Sequence, residues 1–381
     1  MRIGRVRLYA LALPLRHSVE TGFGEVGDRS GHLIELLDEA GRRGWGEALP
    51  LPAFGGESAR ACAAALQRAV SMLLGRSLDA PSLGERALGP PGRHPVAHAA
   101  VEMARLDLLS RQQERTPASL LGASRPLGAL PVNALLRAST LEQLEEEAAA
   151  AVSAGFQSLK LKVAARPLAE DLARVEAVRR GAPPAVALRV DANGGWSEAE
   201  ASRAIAALSP FSLEWLEQPV PAGDRAALVR LRGQGQDHGV ALAADESIRS
   251  ESDVAALLDV GAVDVVVIKL PVVGGPWRAR AIATEAQRRG VRVAITSFID
   301  STLGIAAAAH VAAALPEAPA PCGLATAGLL EEDLAEPWRI EQGRLCFPTA
   351  ASPRQRDPGG FGVTPRLEGA CRLLLDTSAR D

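Results

Sequence analysis

The chain has 381 residues, 47% of them hydrophobic, and its 42 Lys and Arg against 45 Asp and Glu leave a formal charge of −3. That balance excludes a global basic field for nucleic acid or an anionic membrane. The length exceeds what one small core can organise, so one large domain with a smaller one, or a barrel with additions, is expected.

The opening stretch, "MRIGRVRLYALALPLRHS", lacks a long apolar core and a cleavage site, so neither a signal peptide nor a bilayer span is expected. "GHLIELLDEAGRRGWGEA" reads as a hairpin turning at 38–41. "ESARACAAALQRAVSMLLG" reads as a helix closed by Gly75, and "HPVAHAAVEMARLDLLSRQQE" as a longer one. Strands followed by helices make an α+β unit over residues 1–125. Cys62, Cys322, Cys346 and Cys371 lie far apart without CxxC spacing, which predicts buried, reduced thiols and a cytoplasmic protein.

From about residue 130 the pattern changes. "PVNALL", "SLKLKV", "VALRVDAN", "LEWLEQP", "VALAADES", "VDVVVIKLP" and "VRVAITSF" are short apolar strands, each separated from the next by an amphipathic helical stretch. This is a repeated βα unit, and so many units in about 200 residues favour a closed barrel over an open sheet. "PCGLA" at 321–325 is a weaker eighth strand. The expected fold is α/β, a modified TIM-type (β/α)7β barrel over 126–328, with the α+β unit as a capping domain and 329–381 packing back on that cap.

A charged or polar residue stands where each barrel strand ends: Lys160 and Lys162, then Asp191, Glu217, Asp245, Lys269 and Ser297. From Lys162 onward the gaps are 29, 26, 28, 24 and 28 residues, one βα unit each. The C-terminal ends of barrel strands are where such folds do chemistry. Lys160 and Lys162 share a strand face by period two, as do Arg189, Asp191 and Asn193. Three carboxylates on adjacent strands repel one another unless a cation joins them. Oxygen donors without His or Cys suit magnesium better than zinc. Two lysines on one side and Lys269 on the other then flank a metal site. Lys160 and the metal lower the pKa of Lys162, so that it serves as a base towards a proton beside a carboxylate.

Each of these residues alone reads more simply. Asp245 could cap a helix, Glu217 could be a turn residue, and Lys269 could be a sheet-end charge. Five together at unit spacing point to a site. "VVGGPW" at 272–277 lacks the spaced glycines of a phosphate cradle and reads as a tight βα turn. The six histidines show no ligand spacing; His310 reads as a packed helix residue, and Trp45 as core, held only as a cap-loop candidate.

"LKLK" is similar to the K-x-K strand of the enolase superfamily, "VDAN", "EQP" and "ADES" to its three metal strands, and "VIKL" to its opposing-lysine strand. "GWGEALPL" and "ARLDLL" resemble its capping domain. The likeness is to the muconate-lactonizing-enzyme subgroup, since the His–Asp dyad of the mandelate-racemase-like branch is missing. It implies a lysine base acting beside magnesium, with manganese as the alternative ion, on a small-molecule carboxylate. It also fits a homo-oligomer with no nucleic-acid or membrane partner.

Within the subgroup, "PVNALL", "RVDANGGW", "TSFIDSTLGIAAAAHVAAALP" and "CGLATAGLLEEDL" resemble the o-succinylbenzoate synthases. That likeness implies a carbon–oxygen lyase of menaquinone biosynthesis, carrying out syn dehydration of 2-succinyl-6-hydroxy-2,4-cyclohexadiene-1-carboxylate. Lys162 would take the α-proton and return it to the departing hydroxyl, with Lys160 beside it, and Lys269 would stabilise the enolate. Arg189, Asn193, Ser297, Asp300 and Ser301 would be substrate-binding, Asp300 standing where many relatives carry glutamate. N-acylamino acid racemases and dipeptide epimerases use the same two lysines, but "PCGLAT" lacks the acids of the epimerase eighth strand. A muconate cycloisomerase and a non-catalytic binding barrel rank lower. Substrate choice is expected in the cap loops 21–31 and 50–56.

Overall fold

Alternating apolar and polar residues near the N-terminus make a long antiparallel hairpin. In the computed structural model, which describes residues 1–21, 24–54, 56–80, 83–348 and 359–379, β1 (Ile3–Thr21) pairs with β2 (Gly24–Asp38), and β2 pairs with β3 (Arg43–Ala48). The turn at 38–41 forms because the Asp38 carboxylate accepts from the backbone N–H groups of Ala40 and Arg42, while Gly41 takes φ +80°. Ile3, Val6, Leu8, Ile34 and Leu36 share one buried face. Against it pack α1 (Ala59–Leu73), α2 (Leu83–Leu88) and α3 (Pro95–Gln112). The "GWG" of β3 has a steric reason. A Cβ on Gly44 or Gly46 would come within 2.2 or 1.9 Å of a carbonyl oxygen of α3. The short helix α4 (Pro117–Leu120) and strand β4 (Leu130–Pro131) lead into the barrel.

The barrel strands are β5 (Ala134–Leu136), β6 (Ser158–Lys162), β7 (Ala187–Asp191), β8 (Trp215–Glu217), β9 (Leu242–Ala244), β10 (Val265–Ile268) and β11 (Arg292–Ile295), hydrogen-bonded in that order and all parallel. Between and after them run α5 (Leu141–Ser153), α6 (Leu168–Gly181), α7 (Glu198–Leu208), α8 (Arg225–His238), α9 (Glu251–Asp259), α10 (Leu270–Val273), α11 (Pro276–Arg288) and α12 (Thr302–Ala313). Thr140, Ser197, Asp224, Ser250 and Ser301 cap helix N-termini with their side-chain oxygens, and Ser197 forms a capping box with Glu200.

The eighth position is filled by a segment too short to be a full strand. Gly323 bonds to Ile295 and Ser297 on one side, and Cys322 to Pro131 and Asn133 on the other, which closes the sheet. Beyond it, β12 (Ile340–Glu341) and β13 (Arg344–Leu345) pair with β4, and β14 (Cys371–Ser378) adds to the N-terminal sheet on the outer side of β1. We keep the division into 1–125, 126–328 and 329–381 as a proposal; the return of β14 to β1 supports it.

Three expectations change. The stretch 21–31 is mostly strand, because Gly24–Gly31 pairs with β1 and so satisfies its backbone; residues 22–23 lie outside the described residues. In 50–56, Pro52–Phe54 is a 3-10 turn, and residue 55 lies outside the described residues. Cys62 and Cys322 are buried as expected, but Cys346 and Cys371 are half-exposed, the latter opening an edge strand. Among the described residues no helix is long and apolar enough to cross a membrane.

Candidate active site

Parallel register fixes the site. Lys162 pairs with Asp191, and Asp191 with Glu217, so three neighbouring strands present polar side chains at one level. Asp245 follows β9 and Lys269 follows β10 at the same end. Asp191, Glu217 and Asp245 are all buried and place one carboxylate oxygen each within 4.8 Å of one another. Lys160 Nζ lies 2.8 Å from Asp191 Oδ2 and 2.7 Å from Glu217 Oε1. Lys269 Nζ contacts Asp245 Oδ1 from the opposite side. The lysines of β6 and the lysine after β10 therefore bracket the carboxylates.

Burial works against the ammonium of Lys160, yet Asp191, Glu217 and Asp245 hold its pKa above the ordinary lysine value. Lys162 goes the other way. Burial lowers it, Lys160 and Lys269 add to that, and Asp191 opposes. Asp191 is held down by Lys160 and Lys162 against its burial. Glu217 is pushed up to about 7 by burial and by Asp191 and Asp245, despite Lys160. At Glu217, burial and the repulsion of its neighbouring carboxylates thus outweigh the lysines nearby. A divalent cation removes that repulsion, and the all-oxygen donor set fits magnesium.

The surrounding residues brace this arrangement. Gln218 Oε1 accepts from the N–H groups of Asp245 and Ser247, tying the end of β8 to the end of β9. Asn193 donates from Nδ2 to Asp191 at 3.1 Å and to Glu246 at 3.0 Å. Ala164, Asn193, Gln218 and Ile299, each just past a strand end, have φ of +71°, +44°, +39° and +57°. Such left-handed non-glycine residues cluster where a site over-determines the backbone.

Above this floor opens a cleft with about 840 Å³ of empty volume, continuous with solvent. Its wall is apolar: Val19 and Leu51 from the cap, Phe54, then Leu135, Phe298, Ile299 and Leu329. The Phe54 ring stands 4.7 Å from Lys269 Nζ and meets Phe298 edge-on at 5.1 Å.

Lys160, Lys162, Asp191, Asn193, Asp245, Lys269 and Ser297 line the cleft. Three residues expected at the substrate are elsewhere. Arg189 is one layer deeper, because period two places it below Asp191; it bonds Glu214, Asn133 and the Pro321 carbonyl and lies 3.7 Å over the Trp215 ring. Asp300 is buried and turns back to accept from the N–H of Phe298. Ser301 caps α12 and bonds Glu47. Trp45 is core, its backbone N–H donating to the Asp107 carboxylate.

Sequence reasoning did not single out Glu246, Asn133 and Thr326, and reached Phe54 only as part of the cap loop 50–56; all four line the cleft. Glu246 is the "E" of "ADES", but β9 ends at Ala244, so strand alternation does not predict its direction. Burial, Asp245 and Asp191 push it up to about 8. The Thr326 hydroxyl is buried without a protein partner.

A family model described as Enolase C-terminal domain-like matches residues 143–369, and one described as MenC, N-terminal domain, matches residues 3–89. The chain belongs to the enolase superfamily. It is an enzyme of that superfamily, whose members use magnesium, and Asp191, Glu217 and Asp245 are the residues that can hold the ion. The N-succinyl-L-Arg/Lys racemase of Bacillus cereus is 29% identical over 315 residues, 82% of this chain and 84% of its own. Its crystal structure superposes with a TM-score of 0.88 at 25% identity, over 98% of this chain and all of that one (100%). The o-succinylbenzoate synthase of Mycobacterium ulcerans is 38% identical over 239 residues, 62% of this chain and 69% of its own. The muconate lactonizing enzyme of Pseudomonas fluorescens has a TM-score of 0.88 at 25% identity, covering 97% and 99% of the two chains.

Proposed function

We propose that this enzyme is an o-succinylbenzoate synthase-like dehydratase acting on 2-succinyl-6-hydroxy-2,4-cyclohexadiene-1-carboxylate. The observation that carries the reading is the cleft itself: a floor of lysines and carboxylates under a wall built from Phe54, Phe298, Leu135, Ile299 and Leu329. Such a wall suits an uncharged six-membered carbocycle whose carboxylate reaches the floor. An N-succinyl-Arg or -Lys substrate would bring a cation against that wall. Among the described lining residues, acids occur only at the floor: Asp191, Asp245 and Glu246.

Lys162, with its depressed pKa, is the base. It takes the proton from the carbon bearing the carboxylate. The electron pair forms the ring double bond as the neighbouring C–O bond breaks, and Lys162 returns the same proton to the departing hydroxyl, releasing water. A magnesium ion held by Asp191, Glu217 and Asp245 would supply positive charge to the substrate carboxylate as that proton leaves. Lys160, pinned between two carboxylates, keeps its charge and helps to depress Lys162. Lys269, across the cleft, offers a fixed positive charge to the opposite ring face. Asn193 and Ser297 orient the substrate; the Ser297 oxygen, which accepts from the Asp300 N–H, is held at the cleft wall. Arg189, Asp300 and Ser301 support the site without touching the substrate.

N-succinylamino acid racemisation is the second reading, favoured by lysines on both sides of the carboxylates and by the extent of the likeness to the Bacillus cereus racemase. Assaying the magnesium-loaded protein on the cyclohexadiene substrate and on a panel of N-succinylamino acids separates the two. Dehydration at least about a hundredfold more efficient in kcat/KM is expected, as for a site shaped to one transition state. Racemisation without dehydration would overturn the proposal.

A further inference from the structure

An arginine buried to 1% exposure has to place five N–H donors and a charge that it cannot release. Arg29, on β2, does so by spanning two segments far apart in sequence. Its Nη1 and Nη2 donate to the carbonyls of Pro50 at 3.0 Å and Leu49 at 2.6 Å, in the turn that leads to Phe54. Its Nε and Nη2 donate to the carbonyls of Ile299 and Phe298, both at 3.1 Å, in the loop after β11. Glu47 and Asp300 balance the charge at longer range.

The second segment is under backbone strain. Ile299 is β-branched and has φ +57°, a conformation that its side chain disfavours unless neighbours impose it. Several bonds impose it besides those of Arg29. The Phe298 N–H donates to Asp300 at 2.8 Å, the Asp300 N–H to Ser297 Oγ at 3.0 Å, and the Ser301 N–H to Glu47 at 3.2 Å. The side chains so held, Phe54 from one segment and Phe298 and Ile299 from the other, form one wall of the cleft, and Phe54 packs both on Phe298 and beside Lys269. The Arg29 guanidinium also lies 5.5 Å from the Phe298 ring.

We propose that Arg29 is a positioning residue that locks the cap turn at 49–54 and the barrel loop at 297–301 into one register, and thereby sets how tightly the cleft holds its substrate. It acts through Phe54, Phe298 and Ile299 and touches neither the substrate nor the floor. The inference uses the proposed dehydration only to choose the substrate on which KM is read; the structural part is independent of it.

The test uses full-length, magnesium-loaded protein with Arg29→Met and Arg29→Lys. Amide hydrogen exchange should rise together over 49–54 and 297–301 in Arg29→Met, with the barrel strands unchanged. KM should rise at least about tenfold with kcat changed far less, because uniform binding is what the wall supplies. Arg29→Lys keeps the charge but cannot span four carbonyls, and should fall between the two. Magnesium affinity, read by calorimetry without substrate, should match wild type. A lowered melting temperature with KM within about twofold of wild type would mean a structural role alone and would overturn the proposal. So would loosening of only one segment. If Arg29→Met does not fold, Arg29→Lys decides by the same readouts. If wild type turns over neither candidate substrate, the proposed function fails, and hydrogen exchange still decides for or against Arg29.

Discussion

Two layers of side chains fill the barrel, two residues apart on the same strands, and they treat charge in opposite ways. The lower layer holds Arg189, Trp215, Ala243, Val267 and Ala294. Its arginine is held by Glu214 at 2.6 Å, the Pro321 carbonyl at 2.6 Å, and the Trp215 ring beneath it. The upper layer holds Lys162, Asp191, Glu217, Asp245 and Lys269, and there carboxylates crowd until Glu217 is pushed up to about 7. A charge used for packing is paired for good, while charges used for chemistry are left partly unbalanced for a metal and a substrate to complete. The same period-two rule builds both layers, so a residue's chemistry alone does not say which layer it serves.

The comparison breaks most visibly if the upper layer is neutralised. Asp191→Asn, Glu217→Gln or Asp245→Asn should each cost about a thousandfold or more in kcat/KM while the barrel stays folded, because each removes first-sphere charge from the ion. Calorimetry should show magnesium binding weakened in step. Full activity in chelator-treated protein would sink the assignment. In the lower layer the effect should move to stability. Arg189→Met leaves the half-buried Glu214 with Arg292 at 3.6 Å and strips the Pro321 carbonyl of its donor; it should destabilise by about 2 kcal/mol in denaturant unfolding, with kcat of the folded fraction nearly retained. A large loss of kcat at unchanged stability would show Arg189 to be part of the chemistry.

A smaller effect comes from outside the barrel. His310, on α12, is enclosed by Trp338, Phe347 and Phe361, and burial pushes it down to about 3. The unfolded chain then binds the proton between the ordinary value near 6.5 and about 3, so stability is present above pH 6.5 and drains away as pH falls through that window. This one group should cost about 2 kcal/mol between pH 7 and pH 5, and His310→Phe should flatten the slope by that amount.

Much of the upper layer was legible in the sequence because βα units repeat with nearly constant length and bring one strand end per unit to the mouth. Lys162, Asp191, Glu217, Asp245 and Lys269 follow from that alone. Depth was not legible: Arg189 shares its face with Asp191, and only the stacked Trp215 and the Glu214 pair show that it belongs below. Loop direction was not legible either. Asp300 and Ser301 turn away because Glu47 and Arg29, some 250 residues distant in sequence, draw that loop towards the cap. Phe54 reaches the site from a turn whose register depends on that same contact.

The most direct measurement is the dehydration rate of Lys269→Arg beside that of Lys162→Arg, each loaded with magnesium. Arginine keeps the positive charge but, with a pKa above about 12, cannot exchange a proton with substrate. If Lys162 is the base and Lys269 a fixed charge, Lys162→Arg should be inactive, whereas Lys269→Arg should retain dehydration within about a hundredfold of wild type and magnesium affinity should be unchanged in both. Equal and complete loss in the two variants, with efficient exchange of an N-succinylamino acid α-proton by wild type in deuterated water, would contradict the account and assign proton transfer to both lysines.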